Sequence, residues 1–242
     1  MKLPECFIVL FVFCLAFIIP TVVSANPQTI LLVSGTNTQS AGYTSAQPSN
    51  PLDISSYSIG GWSSATAVAP ISWTWYDPTQ APFGSGATWV SSAATTEDGQ
   101  DDQWRLFKID FDIPAGSIIN SAQLSYTADN AATVYLNDIE ISSTGSVYGA
   151  SPTPYPYDPS LYLFLNSYNV NFNPKIGSNT LKFVVRNWYN ANNYNPTGLL
   201  YKGIIEYEPG TAVPEFPSAI LPATMIIGFL GAVLLIRRTR EH

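Results

Sequence analysis

The run Trp104-Arg105-Leu106-Phe107-Lys108-Ile109-Asp110-Phe111-Asp112-Ile113 constrains the fold of this 242-residue chain more than any other segment. From Phe107 onward, apolar and charged residues alternate. Phe107, Ile109, Phe111 and Ile113 fall on one face, and Lys108, Asp110 and Asp112 on the other. A period of two is that of a strand, so one face is core and the other meets solvent. Pro114-Ala115-Gly116 then turns the chain. Ala122, Leu124 and Tyr126 share a face of the next strand, and Asp129-Asn130 marks the following turn. Thr133–Leu136, Asn137-Asp138 and Ile139–Ile141 read as a tight hairpin, since Asn and Asp tolerate the left-handed backbone of such a turn.

Further strand character lies at Ile30–Val33, Leu161–Leu165, Tyr168–Phe172, Thr180–Arg186 and Leu199–Tyr207. Residues 34–60 read as a long loop or loosely packed arm, 143–160 as a loop crowded with Pro and Tyr, and 187–198 as an Asn-rich loop. Between the two chain ends helical periodicity is nearly absent, and short β-branched and aromatic runs are separated by turn residues. That is the pattern of an all-β sandwich.

The two ends have a different character. Met1-Lys2, the apolar stretch Cys6–Ile19 and Val23-Ser24-Ala25 have the layout of a signal peptide over 1–25 with a cut after Ala25. An uncleaved N-terminal anchor is the alternative. At the other end an apolar run from Ala219 to Ile236 precedes Arg237-Arg238-Thr239-Arg240. As a helix it would rise about 27 Å, close to the roughly 30 Å hydrocarbon core of a bilayer, with the arginines on the cytoplasmic side. The expected organisation is a signal peptide (1–25), N-terminal strands and long loops (26–86), a sandwich core (87–208), a linker (209–218), a transmembrane helix (219–236) and a cytoplasmic basic tail (237–242). The expected location is the extracellular face of the cell membrane, with signal peptidase as a processing partner.

Both cysteines, Cys6 and Cys14, fall in the N-terminal segment, and the only histidine is His242. Residues 26–213 therefore have no thiolate or imidazole for nucleophilic, acid-base or metal chemistry. Over that span six basic residues stand against fourteen acidic ones, a balance of −8. That sign disfavours nucleic acid as a partner. About 187 residues suffice for one domain.

The tail residues Pro214, Glu215 and Phe216, set before the apolar run and the arginines, resemble the Pro-Glu-Phe type of archaeal C-terminal sorting signal. That resemblance implies an archaeosortase as a partner and transfer to a lipid-type anchor. A plain single-pass anchor is the alternative. From Ile119 onward, Ser121-Ala122-Gln123-Leu124, Ala128-Asp129-Asn130, Val134-Tyr135-Leu136-Asn137, Gly177-Ser178-Asn179-Thr180-Leu181 and Val184-Val185-Arg186-Asn187 resemble the galactose-binding-like jelly roll. The resemblance covers roughly residues 87–207. It implies a jelly-roll β-sandwich of the kind found in sugar-binding accessory domains of glycosidases, with a structural Ca2+ in many members. Asn137-Asp138 stands where that family usually has Asn-Gly.

Sugars are bound in water by flat aromatic faces together with amide and carboxylate side chains. Candidate ligand-binding residues are therefore Trp73 and Trp75, on one face of a short strand, and Trp188, Tyr189, Asn190 and Tyr194 in the Asn-rich loop. Core packing is the competing role for each. Asp98, Asp101 and Asp102, around Gly99, are candidate ligands for Ca2+, a cation that takes roughly 6–8 oxygens; a solvated turn is the alternative. No other cofactor is implied. Asp110 and Asp112, about 7 Å apart on one strand face, are the only carboxylate pair singled out for glycoside hydrolysis, and a solvated face is their simpler role. The expected function is a non-catalytic, cell-surface-anchored carbohydrate-binding or adhesion module whose partner is an extracellular glycan or envelope component. The alternatives are a structural surface-layer protein and a small glycoside hydrolase.

Overall fold

The computed structural model describes residues 26–70, 75–84, 86–92, 102–144, 147–148, 167–188, 196–210 and 220–240. Asn26–Pro209 forms one compact unit. Its strands are β1 (Gln28–Val33), β2 (Gln39–Thr44), β3 (Ser63–Ser64), β4 (Thr66–Ala67), β5 (Val90–Ser91), β6 (Gln103–Ile113), β7 (Ile118–Asp129), β8 (Ala131–Leu136), β9 (Ile139–Thr144), β10 (Tyr168–Asn171), β11 (Gly177–Asn187) and β12 (Gly198–Glu208). They form two antiparallel sheets. The first has the order β10-β7-β12-β5-β4, with β1 also paired to β12, and the second has the order β3-β2-β6-β11-β8-β9. The fold is an all-β sandwich.

The alternation in β6 does what its period requires. Phe107, Ile109, Phe111 and Ile113 point inward and are buried with Leu181, Phe183 and Val185 of β11, Val134 and Leu136 of β8, and Leu124, Tyr126, Leu199, Tyr201 and Ile205 of the first sheet. Phe183 stacks on Tyr201 at 4.6 Å between ring centroids, joining the two sheets at the centre of the core. The chain passes from β7 in the first sheet to β8 in the second through the single residue Asn130, whose N–H donates to the Arg186 carbonyl at 3.0 Å. In the hairpin, Asn137 and Asp138 adopt φ of 50° and 68°, the left-handed pair that a two-residue turn between strands demands. The Asn137 side chain also accepts from the Thr180 N–H and donates to Asn179 Oδ1, both at 3.0 Å, pinning the turn to β11.

The two ends of the sandwich differ. At one end β6–β7, β8–β9 and β10–β11 are joined by the short links 114–117, 137–138 and 172–176. At the other end the chain leaves β2, β5, β9 and β11 on the long connections 45–62, 92–102, 145–167 and 188–197. Gln28 pairs with Tyr207, so the first strand starts beside the end of the last, at the short-link end.

Beyond the sandwich, Ile220–Arg240 forms helix α1. The expected transmembrane helix over 219–236 is corrected here: among the described residues no helix is long and apolar enough to cross a membrane. The assignments that rested on the span fall with it: membrane anchoring, the single-pass topology with a cytoplasmic tail at 237–242, and placement on the extracellular face of a membrane. The signal peptide expected at 1–25 lies outside the described residues.

Candidate functional site

Both sheets are partly covered on their outer faces, and this decides where the expected ligand-binding residues go. Over the first sheet, Trp75, Phe83, Ala87 and Trp89 pack with Leu200 in a separate buried cluster. Trp75 lies 4.2 Å from Trp89 between ring centroids, and its indole N–H donates to Asp129 Oδ2 at 2.8 Å. Over the long-connection half of the second sheet, Ala41, Tyr57, Trp104, Leu106, Tyr135, Val147, Val184 and Trp188 make another. The backbone N–H of Trp188 donates to Asn130 Oδ1 at 2.8 Å. Trp75 and Trp188 are 6% and 2% exposed, so neither offers a ring face to a ligand. Trp73, Tyr189, Asn190 and Tyr194 lie outside the described residues, as do Asp98, Asp101, Pro214, Glu215 and Phe216.

Asp102 is described, and its carboxylate serves a cation of the chain itself. Arg186 Nη2 lies 2.7 Å from Asp102 Oδ1, and the guanidinium sits 4.6 Å from the ring centroid of Trp104. Among the described residues no group of three or more His, Cys, Asp or Glu side chains is placed to hold a metal ion. Burial pushes Asp129 up to about 8, against the opposing effects of the Trp75 hydrogen bond and the Arg105 charge. Its carboxyl therefore carries a proton over much of the neutral range.

The half of the second sheet nearer the short-link end, which no described layer covers, presents a different surface. Register places Ser64, Gln39, Lys108, Lys182, Tyr135 and Glu140 in one row across all six strands, β3-β2-β6-β11-β8-β9. Adjacent strands lie about 4.8 Å apart, so the row is about 24 Å wide. The next rows toward the short-link end pair Asp110 with Thr180 and Asp112 with Ser178. These side chains point outward because they alternate with the core-facing phenylalanines and isoleucines of β6.

Hydrogen bonds knit the rows into a ladder. Lys108 Nζ donates to Asp110 Oδ2 at 2.6 Å, Thr180 Oγ1 to Asp110 Oδ1 at 2.6 Å, Lys182 Nζ to Asp138 Oδ1 at 2.6 Å, and Ser178 Oγ to Asp112 Oδ1 at 2.6 Å. Burial alone would raise the Asp110 pKa. The hydrogen bonds from Lys108 and Thr180, with the charges of Lys108 and Lys182, instead hold its carboxyl below the usual carboxylate range. Each lysine side chain is only 17% exposed, whereas its partners Asp110 and Asp138 are 53% and 64% exposed. Trp62, half-buried, stands at the boundary between the covered and open halves, with Lys108 Nζ 5.0 Å from its ring centroid. Tyr135 and Tyr148, hydroxyl to hydroxyl at 2.9 Å, lie at the same boundary.

Sequence reasoning identified Lys108, Asp110 and Asp112 as the solvent face of a strand but did not connect them to Trp62, Lys182 or Asp138. The available signal was the matching parity of Ser178, Thr180 and Lys182 in β11. Trp62 sits in a Gly- and Ser-rich stretch with no alternation to mark it.

No family model matches the chain, and no curated protein matches it. Among solved structures, similarity extends to part of an α-L-rhamnosidase from Dictyoglumus thermophilum, at 18% identity over 55% of this chain and 13% of that one, with a TM-score of 0.32. A putative β-galactosidase from Bacteroides fragilis is 13% identical over 73% of this chain and 23% of its own, with a TM-score of 0.38. A β-glucuronidase from Ruminococcus gnavus in complex with D-glucuronic acid is 12% identical over 74% and 29%, with a TM-score of 0.35. This chain thus spans less than a third of the length of each of these structures. None of these comparisons supports the archaeal sorting signal, an archaeosortase or an envelope component as a partner.

Proposed function

We propose that the sandwich, read as a galactose-binding-like jelly roll, is a non-catalytic carbohydrate-binding module whose binding surface is the open half of the second sheet. The observation that carries this reading is Trp62 standing beside a ladder of interleaved hydrogen-bond donors and acceptors. Saccharides need both parts: an aromatic face for their C–H surface, and closely spaced polar groups for vicinal hydroxyls. The exposed carboxylates keep lone pairs free for incoming hydroxyl donors. The side chains of the ladder contain no imidazole or thiol, and their carboxylates are engaged by lysine and hydroxyl partners, which suits holding a ligand more than transforming it.

The test is titration of the sandwich with a panel of neutral and acidic polysaccharides, comparing wild type with Trp62→Ala and with Tyr168→Ala on the first sheet. Trp62→Ala should weaken binding at least tenfold, about 1.4 kcal/mol, and Tyr168→Ala should leave it unchanged. Equal binding by wild type and Trp62→Ala would refute the assignment, as would a panel in which nothing binds.

One observation favours a second reading, packing against copies of the same chain. Ile118, Ile139 and Ile176 are 64%, 70% and 41% exposed, and all three sit at the short-link end. Sedimentation of wild type against an Ile118→Ser/Ile139→Ser variant separates the two readings, since only packing predicts an association lost on substitution.

A further inference from the structure

The ladder also constrains which saccharide it can take, an inference that rests on the sheet-face reading above. We infer that the ligand is a neutral polysaccharide chain and that Asp110 and Asp138 act as specificity determinants, screening Lys108 and Lys182 so that uronate and sulfate polymers are rejected. Two lysines directly opposite one another on neighbouring strands would ordinarily make an anion site. Here each ammonium is held at 2.6 Å by a carboxylate that is far more exposed than the lysine. An approaching ligand therefore meets oxygen lone pairs before it meets positive charge.

The charge balance points the same way. Lys108 and Lys182 are set against Asp110, Asp112, Asp138 and Glu140 on the same open face, two positive groups against four negative ones. Residues 26–213 as a whole are acidic. An anionic polymer would be repelled on approach and again on contact. A hydroxyl meets no such repulsion and exchanges its bond to water for a charge-assisted bond to an exposed carboxylate. Removing the two lysine-bound carboxylates would bring the face to two against two and leave the paired ammonium groups facing outward.

The experiment compares affinity for neutral galactan, mannan and β-glucan with affinity for polygalacturonate and dextran sulfate, using wild type, Asp138→Asn and Asp110→Asn/Asp138→Asn. For wild type, one neutral polymer should bind at least tenfold more tightly than either anionic one. Its affinity should change less than twofold between about 20 and 300 mM salt, because no net charge is neutralised on binding. The double variant should narrow the gap between neutral and anionic polymers at least threefold. Asp138→Asn, at the more exposed of the two positions, should narrow it in the same direction. Polygalacturonate binding wild type as tightly as the neutral chain, in a manner lost in Trp62→Ala, overturns this inference while leaving the sheet-face reading standing. A gap unchanged in both variants also overturns it. Absence of binding to every polymer overturns both.

Discussion

Replacing Asp129 by asparagine should make the stability of the sandwich less sensitive to pH in a defined direction. In the folded chain Asp129 is buried, accepts the Trp75 indole N–H at 2.8 Å, and has its carboxyl raised from 3.8 to about 8. In the unfolded chain the group returns to its ordinary value. A carboxyl with a raised folded pKa is bound to a proton in the native state under conditions where the unfolded chain has released it. Stability from this group is then complete below about pH 4, declines as pH rises, and levels off above about pH 8. Four units at about 1.4 kcal/mol each set a ceiling of about 5–6 kcal/mol, and relaxation around the charge would reduce it to about 2–4 kcal/mol. Asparagine keeps an oxygen acceptor for Trp75 and never ionises. Urea denaturation of wild type and Asp129→Asn at half-unit steps from pH 4.5 to 9 measures the difference curve, in which contributions of all other groups cancel. The variant should gain steadily on wild type up to about pH 8 and run parallel above it. A difference curve flat within about 0.5 kcal/mol would refute the argument, and so would one of opposite slope.

Other substitutions probe the packing. Gly198→Ala would place a methyl 2.7 Å from Trp75 Cη2 and 3.0 Å from Trp89 Cε3, so it should destabilise by about 1–3 kcal/mol and alter tryptophan fluorescence. Phe183→Ala, which removes the fully buried ring stacked on Tyr201, should cost about 3–5 kcal/mol, read as a lower urea midpoint at constant slope. Asp138→Gly should stabilise the hairpin by up to about 0.5–1 kcal/mol, because glycine adopts the φ of 68° more easily and the Asp138 carboxylate, 64% exposed, gains little from its ion pair to Lys182. Asp102→Ala should cost about 1 kcal/mol, and less at high salt, since the carboxylate on Arg186 is 42% exposed.

The strands with regular alternation were legible because period two leaves only one face for the core. β6, β7, β11 and β12 fall where Phe107–Ile113, Ala122–Tyr126, Thr180–Arg186 and Leu199–Tyr207 place them, extended by one to four residues at both ends, or for β6 at its start alone. The hairpin at Asn137-Asp138 was legible because so few residue pairs accept left-handed backbone. β2 was not: Gln-Ser-Ala-Gly-Tyr-Thr has no alternation, Gly42 sits at φ 88°, and its register with β6 shifts between Ser40 and Tyr43. For Trp75 and Trp188 the sequence left ligand binding and core packing as competing roles, and the outer layers that cover parts of both sheets bury them. The same layers bury Thr127, Ala131 and Arg186, residues that a simple alternation would leave exposed. The sequence suggested a short Trp-bearing strand and an Asn-rich aromatic loop as the sugar platform. Packing consumes the two described tryptophans among them, and the ladder beside Trp62 emerges only once cross-strand register is known.

The pairing of Gln28 with Tyr207 has a consequence for how the sandwich tolerates being rewired. Cα atoms across such a pair lie only about 4.5–5.5 Å apart, so the two ends of Asn26–Pro209 could be fused through a linker of a few residues without stretching either strand. New ends could then be opened between Asn137 and Asp138, or the whole unit could be spliced into a surface loop of an unrelated host. In either arrangement β2, β5, β9 and β11 would still end at the far end, clear of the seam.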